Sequence, residues 1–443
     1  MNPRLFDALL WSVLAATALA VLWLLTRNVL AIPSQVPLDP NEGWNAAHAI
    51  AATLYPPPQS LMVNNYPPLS FYLAHALVRH GGDPVMAGRW LSLAAFLGTG
   101  FGLAAVLRIM DCRASAIALA ILFFSAVLLI ASNYVGMSDP QLLGHALQIA
   151  ALFLLLRERP VAAALLFAAS LFIKHNLLAL PLASAAWLIL LDRRAGLEFL
   201  FWGIAFVLAG LIAFQLHFGF GLLDQLASPR AWSFANLGGA VSHLWWMLLP
   251  VAAMAGLWPD RTSLLAALYA VMALILGLAF AAGDGVDANV FFDLVIALSL
   301  GLGLGVERGR WPIVAAVSLL PLLVFLAVRF HDNNYAFTKN FAAGSARDIA
   351  FLKSRPGPAL CDQLSLCLWA GKPAEVDVFN IGEQIKTSTR DPGPLARMVA
   401  ARHFAVLQLW NLDALGPVVG DAIRKNYRAD HKGDNGTFLI RLP

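Results

Sequence analysis

Acidic, amide and aromatic side chains are concentrated in a polar stretch that follows the first apolar segment of the chain. Within it, Asp39 and Glu42 stand three residues apart, and Trp44 and Asn45 follow closely. A carboxylate in this setting can accept a proton from an acceptor hydroxyl while that oxygen attacks a sugar carbon. The same spacing also fits an N-cap and a first-turn glutamate, because a helix N-terminus favours negative charge. We predict that at least one acid is catalytic, favour Glu42, and expect Trp44 and Asn45 to contact substrate.

Several residues further along the chain are candidates for binding an anionic phosphate. Asn65 and Tyr66 precede two prolines, Arg89 stands near the start of the second apolar segment, and Lys174 and His175 interrupt a long apolar run. A cation near a membrane face needs a partner, and a phosphate ester is a suitable one. Each feature also has a plainer interpretation, namely a stiff proline turn, an arginine that snorkels to the interface, and a polar hairpin tip.

Two further polar groups fall at the ends of apolar segments. Asp139 precedes a proline, which is ordinary helix capping, but His145 lies one turn further into an apolar span, where a polar side chain is costly. We expect this pair to bind a sugar or orient the donor. A second cluster has a spacing that matches no calcium loop, although a metal there is conceivable; its members are Asp284, Asp287, Asn289 and Asp293.

The composition identifies the class of protein that must position these residues. Hydrophobic residues make up 59% of the chain and charged residues only 13%, with a mean hydropathy of +0.70. These values exclude a single soluble domain and indicate an integral membrane protein. The formal charge of +4 is modest and is explained by membrane topology, so nucleic acid is not an expected partner.

Apolar runs of roughly twenty residues recur along the first three quarters of the chain, and about eleven of them are long enough to be membrane helices. The first run is too long for a cleaved signal peptide, so we expect an anchor. The predicted helices cover residues 7–26, 86–107, 114–132, 140–156, 160–173, 176–191, 197–216, 240–258, 263–282, 288–306 and 311–330.

The distribution of arginine predicts the orientation of these helices. Short basic connections alternate with connections that hold few basic residues, which is the positive-inside pattern. The basic turns include Arg108/Arg113, Arg157/Arg159 and Arg193/Arg194. We therefore expect a cytoplasmic N-terminus in a bacterial inner membrane, with the long loop 27–85 and the C-terminal part on the periplasmic side.

Beyond residue 330 the composition becomes that of a soluble domain. Residues 359–361, 375–379, 404–409 and 437–440 alternate as strands do, and residues 393–402 and 414–427 read as helices. We predict two domains, a membrane domain over 1–330 and a small extracytoplasmic α/β domain over 331–443. Cys361 and Cys367 lie in the α/β domain, and the sequence leaves open whether they form a disulfide or remain two free thiols.

The motifs together resemble the GT-C superfamily of membrane glycosyltransferases, which includes protein O-mannosyltransferases and the lipid A aminoarabinose transferase. The resemblance covers residues 1 to about 330 and rests on these runs: Asn41-Glu42-Gly43-Trp44-Asn45-Ala46, Leu54-Tyr55-Pro56, Asn65-Tyr66-Pro67-Pro68-Leu69, Gly88-Arg89-Trp90-Leu91-Ser92, Ser138-Asp139-Pro140-Gln141 and Lys174-His175-Asn176. The family typically carries two adjacent acids in the first outer loop. Here an asparagine, Asn41, takes the place of the first acid.

The resemblance implies an inverting transfer of a sugar from a polyprenyl-phosphate carrier to a hydroxyl of a glycan, lipid or protein on the outer face. Either Glu42 or Asp39 would be the base, and Arg89 with Lys174 would stabilise the leaving phosphate. The lipid-linked sugar is the required donor, no metal ligand is assigned, and a divalent metal is left open. The alternatives are a transporter or lipid-linked-sugar flippase, and an inactive scaffold, although no internal repeat typical of transporters is present.

Overall fold

We describe a computed structural model of the chain, and the structure describes residues 3–79, 81–131, 133–219, 221–242 and 244–443. Helices dominate the first part of the chain. They are α1 (Pro3–Ala31), α2 (Pro40–Ile50), α3 (Leu69–Val78), α4 (Pro84–Ile109), α5 (Ala114–Ala131), α6 (Gln141–Leu156), α7 (Pro160–Ile173), α8 (Ala179–Leu191), α9 (Arg193–Phe218), α10 (Gly221–Leu226), α11 (Phe234–Ser242), α12 (Leu248–Ala255), α13 (Arg261–Ala281), α14 (Phe292–Arg308), α15 (Pro312–Val317) and α16 (Leu320–Arg329).

All eleven predicted membrane segments coincide with helical regions of the structure. Among the described residues, six helices are long and apolar enough to cross a membrane, or seven if a bent pair formed by α11 and the 245–255 helix is one span. Four predicted spans are shorter apolar helices, namely Ala114–Ile130, Gln141–Leu156, Pro160–Ile173 and Ala179–Leu191. The predicted polytopic membrane domain is therefore confirmed.

Acidic N-caps begin several of these helices, as the sequence pattern requires. Asp39 caps α2 and Asp83 caps α4, each with a proline in the first turn, and Asp192 caps α9. Proline suits this position because the first-turn N–H groups have no partner within the helix. Helix α2 begins at Pro40, so Asp39 is held at its start and Glu42 falls in its first turn.

The C-terminal part combines helices with a small sheet. Its elements are α17 (Asn334–Ser354), β1 (Ala359–Cys361), α18 (Leu364–Trp369), α19 (Val378–Lys386), α20 (Gly393–Ala400), β2 (Val406–Leu409), α21 (Gly416–Asn426), β3 (Tyr427–Gly433) and β4 (Gly436–Arg441). The sheet order is β1-β2-β4-β3, with β1 parallel to β2 and the other pairs antiparallel. The predicted small α/β unit is thus confirmed.

One predicted strand is wrong and one strand was missed. Residues 375–379 alternate like a strand, but the Asp377 side chain accepts a hydrogen bond from the Asn380 N–H and starts α19 instead. Strand β3 is largely polar and exposed, so it carries little of the alternation that identifies a strand. Cys361 and Cys367 form a disulfide with their Cα atoms 6.1 Å apart, and Cys112 is a buried free thiol.

The two parts have separate hydrophobic cores that meet over α2. The membrane core extends from Leu10 to Leu326, whereas the C-terminal clusters are built around the sheet. A small cluster of Trp44, Phe71 and Leu364 joins them. Helix α17 packs against both α1 and α18, and the predicted division at residue 330 stays a prediction.

Candidate active site

A polar cavity of about 810 Å³ lies where the first long loop meets the C-terminal part. Its walls come from the 39–44 and 65–66 segments, the α7–α8 turn, residues 226–232, the 283–290 turn and the start of α19. Six charged residues line it, namely Asp39, Lys174, Arg230, Asp287, Asp362 and Asp377. The cavity therefore brings carboxylates and two fixed cations together.

Asp39 is the acid of the first motif that faces this cavity. Its Oδ1 accepts a hydrogen bond of 2.8 Å from the Asn41 N–H, the only one to its carboxylate among the described residues. Burial raises the pKa of Asp39 to about 6 against the lowering effect of that hydrogen bond, and the charge on Glu42 adds to the rise. A carboxylate with a pKa near the working pH is suited to general-base catalysis.

Glu42 lies behind the cavity wall in a closed ion pair with Arg89. Both side chains are fully buried, and Nε and Nη2 of Arg89 each donate to a different oxygen of Glu42 at 2.7 Å. The same oxygens also accept hydrogen bonds from the Leu38 and Ser138 N–H groups at 2.9 and 3.0 Å. This carboxylate is saturated with donors, so it has no lone pair directed to a substrate.

The remaining N–H groups of Arg89 hold the chain that leads to Asp39. Nη1 donates to the carbonyls of Ile32 and Ser34 at 3.1 and 2.7 Å, and Nη2 donates to the carbonyl of Val36 at 2.7 Å. The guanidinium is thereby fully used by protein acceptors. Arg89, which we predicted to bind phosphate, does not line the cavity, and its contacts are those of a structural residue.

Three other predicted substrate residues support the site from behind. Asn45 donates from Nδ2 to the carbonyls of Asn41 and Ser138, which fastens α2 to the start of α6. Asp139 accepts from the Gln141 N–H at 2.8 Å and lies 3.4 Å from Nζ of Lys174. His145 is fully buried beside Gln141, inside the membrane bundle. None of the three lines the cavity.

Lys174 and His175 do line the cavity, at the end of α7. The Lys174 ammonium lies 4.8 Å from the centre of the Tyr66 ring, in a cation–π arrangement, and pairs with Asp139. Burial lowers the pKa of Lys174, but the charges of Asp139 and Tyr66 and the hydrogen bonds to them together outweigh burial, so the pKa is raised and the ammonium stays charged. Burial and the charge on Lys174 lower the pKa of His175 to about 4, which leaves a neutral imidazole.

Arg230 is a further cation of the cavity, and it was not among the predicted site residues. Its guanidinium lies 5.3 Å from the Phe379 ring centre, and Nη1 makes long hydrogen bonds to the carbonyls of Asp284 and Gly285 at 3.4 and 3.5 Å. Those are its only hydrogen bonds among the described residues, so donors are left for an anion. The signal was present, because Arg230 falls between the predicted helices 197–216 and 240–258, and alternating crossings put that connection on the same predicted side as the loop 27–85.

A second, apolar cavity of about 620 Å³ adjoins the first across the turn of residues 283–287. Its walls include Val127, Leu244, Trp246 and Phe325, which belong to or flank the membrane helices. In the described ranges, no cluster of three or more His, Cys, Asp or Glu side chains is arranged to hold a metal ion.

Two crystal structures of one protein share this arrangement of helices and C-terminal sheet over nearly their whole length. The fold is similar to that of ArnT. The structures are of ArnT from Cupriavidus metallidurans, bound to undecaprenyl phosphate and in the apo state, and each gives a TM-score of 0.58. Sequence identity to ArnT is 14% and 15%, over 96% and 97% of this chain and 98% of the ArnT chain.

The likeness to ArnT is one of fold, because so low an identity does not carry an activity across. No family model and no curated protein sequence matches the chain. The GT-C-like fold expected from the motifs is confirmed by the match to ArnT. Of the predicted site residues, the ones that share the polar cavity are Asp39, Trp44, Asn65, Tyr66, Lys174 and His175.

Proposed function

We propose that this protein is a membrane glycosyltransferase that moves a sugar from a polyprenyl-phosphate donor to an acceptor hydroxyl in the polar cavity. The observation that carries the proposal is the meeting of Asp39, whose pKa is raised to about 6, with the two cations Lys174 and Arg230 in one cavity. The similarity in fold to a protein crystallised with undecaprenyl phosphate supports the choice of donor.

The donor would occupy both cavities. Its phosphate would pair with Lys174 and Arg230, which are charged and face the polar cavity, and neutral His175 would donate a hydrogen bond. The prenyl chain would follow the apolar cavity, whose walls are membrane-helix side chains. The shared turn at 283–287 would mark the point where lipid chain gives way to headgroup.

The reaction would be a single displacement at the anomeric carbon. Asp39 would take the proton of the acceptor hydroxyl while its oxygen forms the new glycosidic bond. The bond from the anomeric carbon to the phosphate oxygen would break, and its electron pair would leave with the lipid phosphate. Lys174 and Arg230 would stabilise that charge, and phosphate is a good enough leaving group to need no general acid. One displacement inverts the anomeric configuration.

The proposal differs from the sequence-based preference in its choice of base and of second cation. Asp39 replaces Glu42 because, of these two acids, Asp39 lines the cavity and Glu42 does not. Arg230 replaces Arg89 because every N–H of Arg89 already has a protein acceptor. We propose periplasmic transfer in a bacterial inner membrane, from the arginine pattern and the disulfide.

Transfer of radiolabelled sugar from polyprenyl-phosphate carriers to endogenous acceptors tests the proposal directly. Membranes would contain wild type, Asp39→Asn, Lys174→Met or Arg230→Met at matched amounts of folded protein. We expect transfer by wild type and a loss of about 10²-fold or more in Asp39→Asn, which is typical for a general base. Wild-type membranes without transfer would refute the proposal and favour a transporter, and an active Asp39→Asn protein would refute the base.

A further inference from the structure

Helix α19 of the C-terminal part contacts the first loop, whose Tyr66 lies against Lys174, and the segment that carries Arg230. At its start, Asp377 bonds to Trp44 of α2, and Phe379 lies beneath the Arg230 guanidinium. Glu383 accepts a hydrogen bond of 3.0 Å from the Ala231 N–H, next to Arg230. One helix of the soluble part is therefore anchored to both sides of the polar cavity.

Asp377 does more than cap this helix. Its Oδ1 accepts from the Asn380 N–H at 3.0 Å, which is the capping hydrogen bond, and the side chain is buried with 3% exposure. The other oxygen, Oδ2, accepts from Nε1 of Trp44 at 2.8 Å and from Nδ2 of Asn380 at 2.6 Å. The hydrogen bond from Trp44 crosses from the C-terminal part to the first loop and is not needed for capping.

Trp44 passes this restraint to the cation. Its ring packs edge-on against Tyr66, with centroids 4.9 Å apart, and the Tyr66 ring in turn lies 4.8 Å from Nζ of Lys174. A second link runs beside it, because Nδ2 of Asn65 donates to Oδ1 of Asn380 at 3.2 Å. Because the indole N–H is held, the Trp44 ring keeps Tyr66 in one rotamer. The Tyr66 ring in turn keeps the Lys174 ammonium in place.

We infer that Asp377 is a positioning residue for the lipid-phosphate site, acting through Trp44 and Tyr66 on Lys174. This inference rests on the proposed function of Lys174. Both carboxylate oxygens of Asp377 already accept hydrogen bonds from Asn380 or Trp44, so its effect is to keep the ammonium where the phosphate binds and not to bind the phosphate itself. The C-terminal part is then a component of the donor site.

The test compares binding of undecaprenyl phosphate to purified full-length variants in detergent. Asp377→Ser retains a capping hydroxyl but is too short to reach the indole, and Trp44→Phe retains the ring but lacks the N–H. We expect each to weaken binding about tenfold, the effect of one lost hydrogen bond to a charged group. Both variants remove the Trp44–Asp377 hydrogen bond, and Trp44→Phe also removes the 3.1 Å hydrogen bond from the indole to the Val63 carbonyl, so the double variant should bind like Trp44→Phe alone.

The controls separate this inference from the proposed function. Asp413→Ser removes an exposed acid of the same domain and should bind like wild type. Lys174→Met should lose binding, and adding Asp377→Ser to it should cause no further loss. Wild-type affinity in both Asp377→Ser and Trp44→Phe, with binding lost in Lys174→Met, overturns the positioning role alone. Wild-type affinity in Lys174→Met overturns the phosphate site itself, and the inference with it.

A second measurement distinguishes misfolding of a variant from a loss of its positioning role. Thermal unfolding and gel filtration are measured for each variant, and only monodisperse protein enters the comparison. If Asp377→Ser does not fold, Trp44→Phe carries the test by itself, since its ring keeps the packing against Tyr66 and Phe71. An unchanged affinity in that variant would then overturn the inference.

Discussion

Asp39 and Glu42 are separated by less than one helical turn, yet the fold gives their carboxylates opposite environments. Asp39 precedes the helix and turns to the cavity, where one hydrogen bond leaves most of its basicity intact. Glu42 lies inside the first turn and receives four hydrogen bonds from Arg89 and two backbone N–H groups. The two acids therefore divide into one that faces the cavity and one that is held in a buried ion pair, by the direction in which α2 presents them.

The raised pKa of Asp39 predicts the pH dependence of sugar transfer. A general base acts when deprotonated, so kcat/KM should be constant above a pH of about 6 and fall about tenfold per pH unit below it. The lipid-linked donor is a phosphodiester and adds no titration in this range. A profile of kcat/KM between pH 4.5 and 8 measures this acidic limb, with temperature and detergent held constant.

Two variants serve as controls for that profile. Asp287→Asn removes another carboxylate of the same cavity and should keep the limb. Burial also raises the pKa of Asp377 to about 6, so Asp377→Ser shows whether that group contributes. A limb that disappears in Asp377→Ser and persists in Asp39→Asn would contradict the assignment of the base.

The Glu42–Arg89 pair predicts a loss of stability when either partner is removed. Glu42→Gln or Arg89→Met leaves an uncompensated buried charge, which costs about 3–5 kcal/mol. The double variant Glu42→Gln/Arg89→Met should lose less than the sum of the two, because no charge is stranded. Thermal unfolding of the purified variants in detergent measures this, and Arg424→Met, at an exposed pair, should stay near wild type. Wild-type stability in Glu42→Gln would contradict the structural role.

Residue types and spacing predicted several of the segments that line the polar cavity, but not the direction of each side chain. Lys174 and Tyr66 could be placed together because arginine counts put their loops on one side of the membrane. The structural role of Arg89 could not be predicted from the sequence, because it depends on backbone carbonyls of residues 32–36 that the fold brings to the guanidinium. Asp377 lies more than three hundred positions from Trp44, and no local pattern joins them.

Helix α2 is one of the elements that join the membrane bundle to the C-terminal part. Its Gly43 packs directly on the backbone of Leu364 and Ser365 at the start of α18, and an added Cβ would overlap those atoms. Backbone atoms cannot move aside as the end of a flexible side chain can, so a larger residue at position 43 must push α2 and α18 apart. The glycine is thus required by close approach, and its backbone conformation is ordinary.

Gly43→Ala should therefore loosen the C-terminal part from α2. Overpacking of this kind typically costs about 1–3 kcal/mol, and we expect a lower unfolding temperature together with faster proteolytic release of the C-terminal fragment. Gly203→Ala, at a helical glycine whose Cβ would meet nothing within 4 Å, is the matched control and should be neutral or slightly stabilising. Equal proteolysis of both variants would show that the contact does not restrain the domain.

Elements with strong periodicity were predictable, and elements defined by one capping contact were not. The membrane helices and three of the four strands follow from apolar length and alternation. Residues 375–379 alternate like a strand, yet the capping contact of Asp377 turns them into the start of α19. Strand β3 forms because its backbone pairs with β4, which is a tertiary interaction and not a local sequence signal.

At the scale of the whole molecule, the orientation in the membrane decides which compartment supplies the acceptor. The arginine pattern predicts that α2, the polar cavity and the C-terminal part lie on the periplasmic side. The Cys361–Cys367 disulfide agrees with this, because such bonds persist in oxidising compartments, whereas Cys112 is a free thiol in a predicted cytoplasmic turn. Two independent properties of the chain therefore predict the same side.

Single-cysteine labelling tests this orientation. Asp413 is exposed in the C-terminal part, and Arg193 is exposed at the start of α9, in a predicted cytoplasmic turn. A membrane-impermeant maleimide should label Asp413→Cys in intact spheroplasts and Arg193→Cys only after permeabilisation, while buried Cys112 stays unlabelled in both. The reverse pattern would place Asp39, Lys174 and the acceptor in the cytoplasm, where a disulfide would not persist, and would remove the argument for transfer at the periplasmic face.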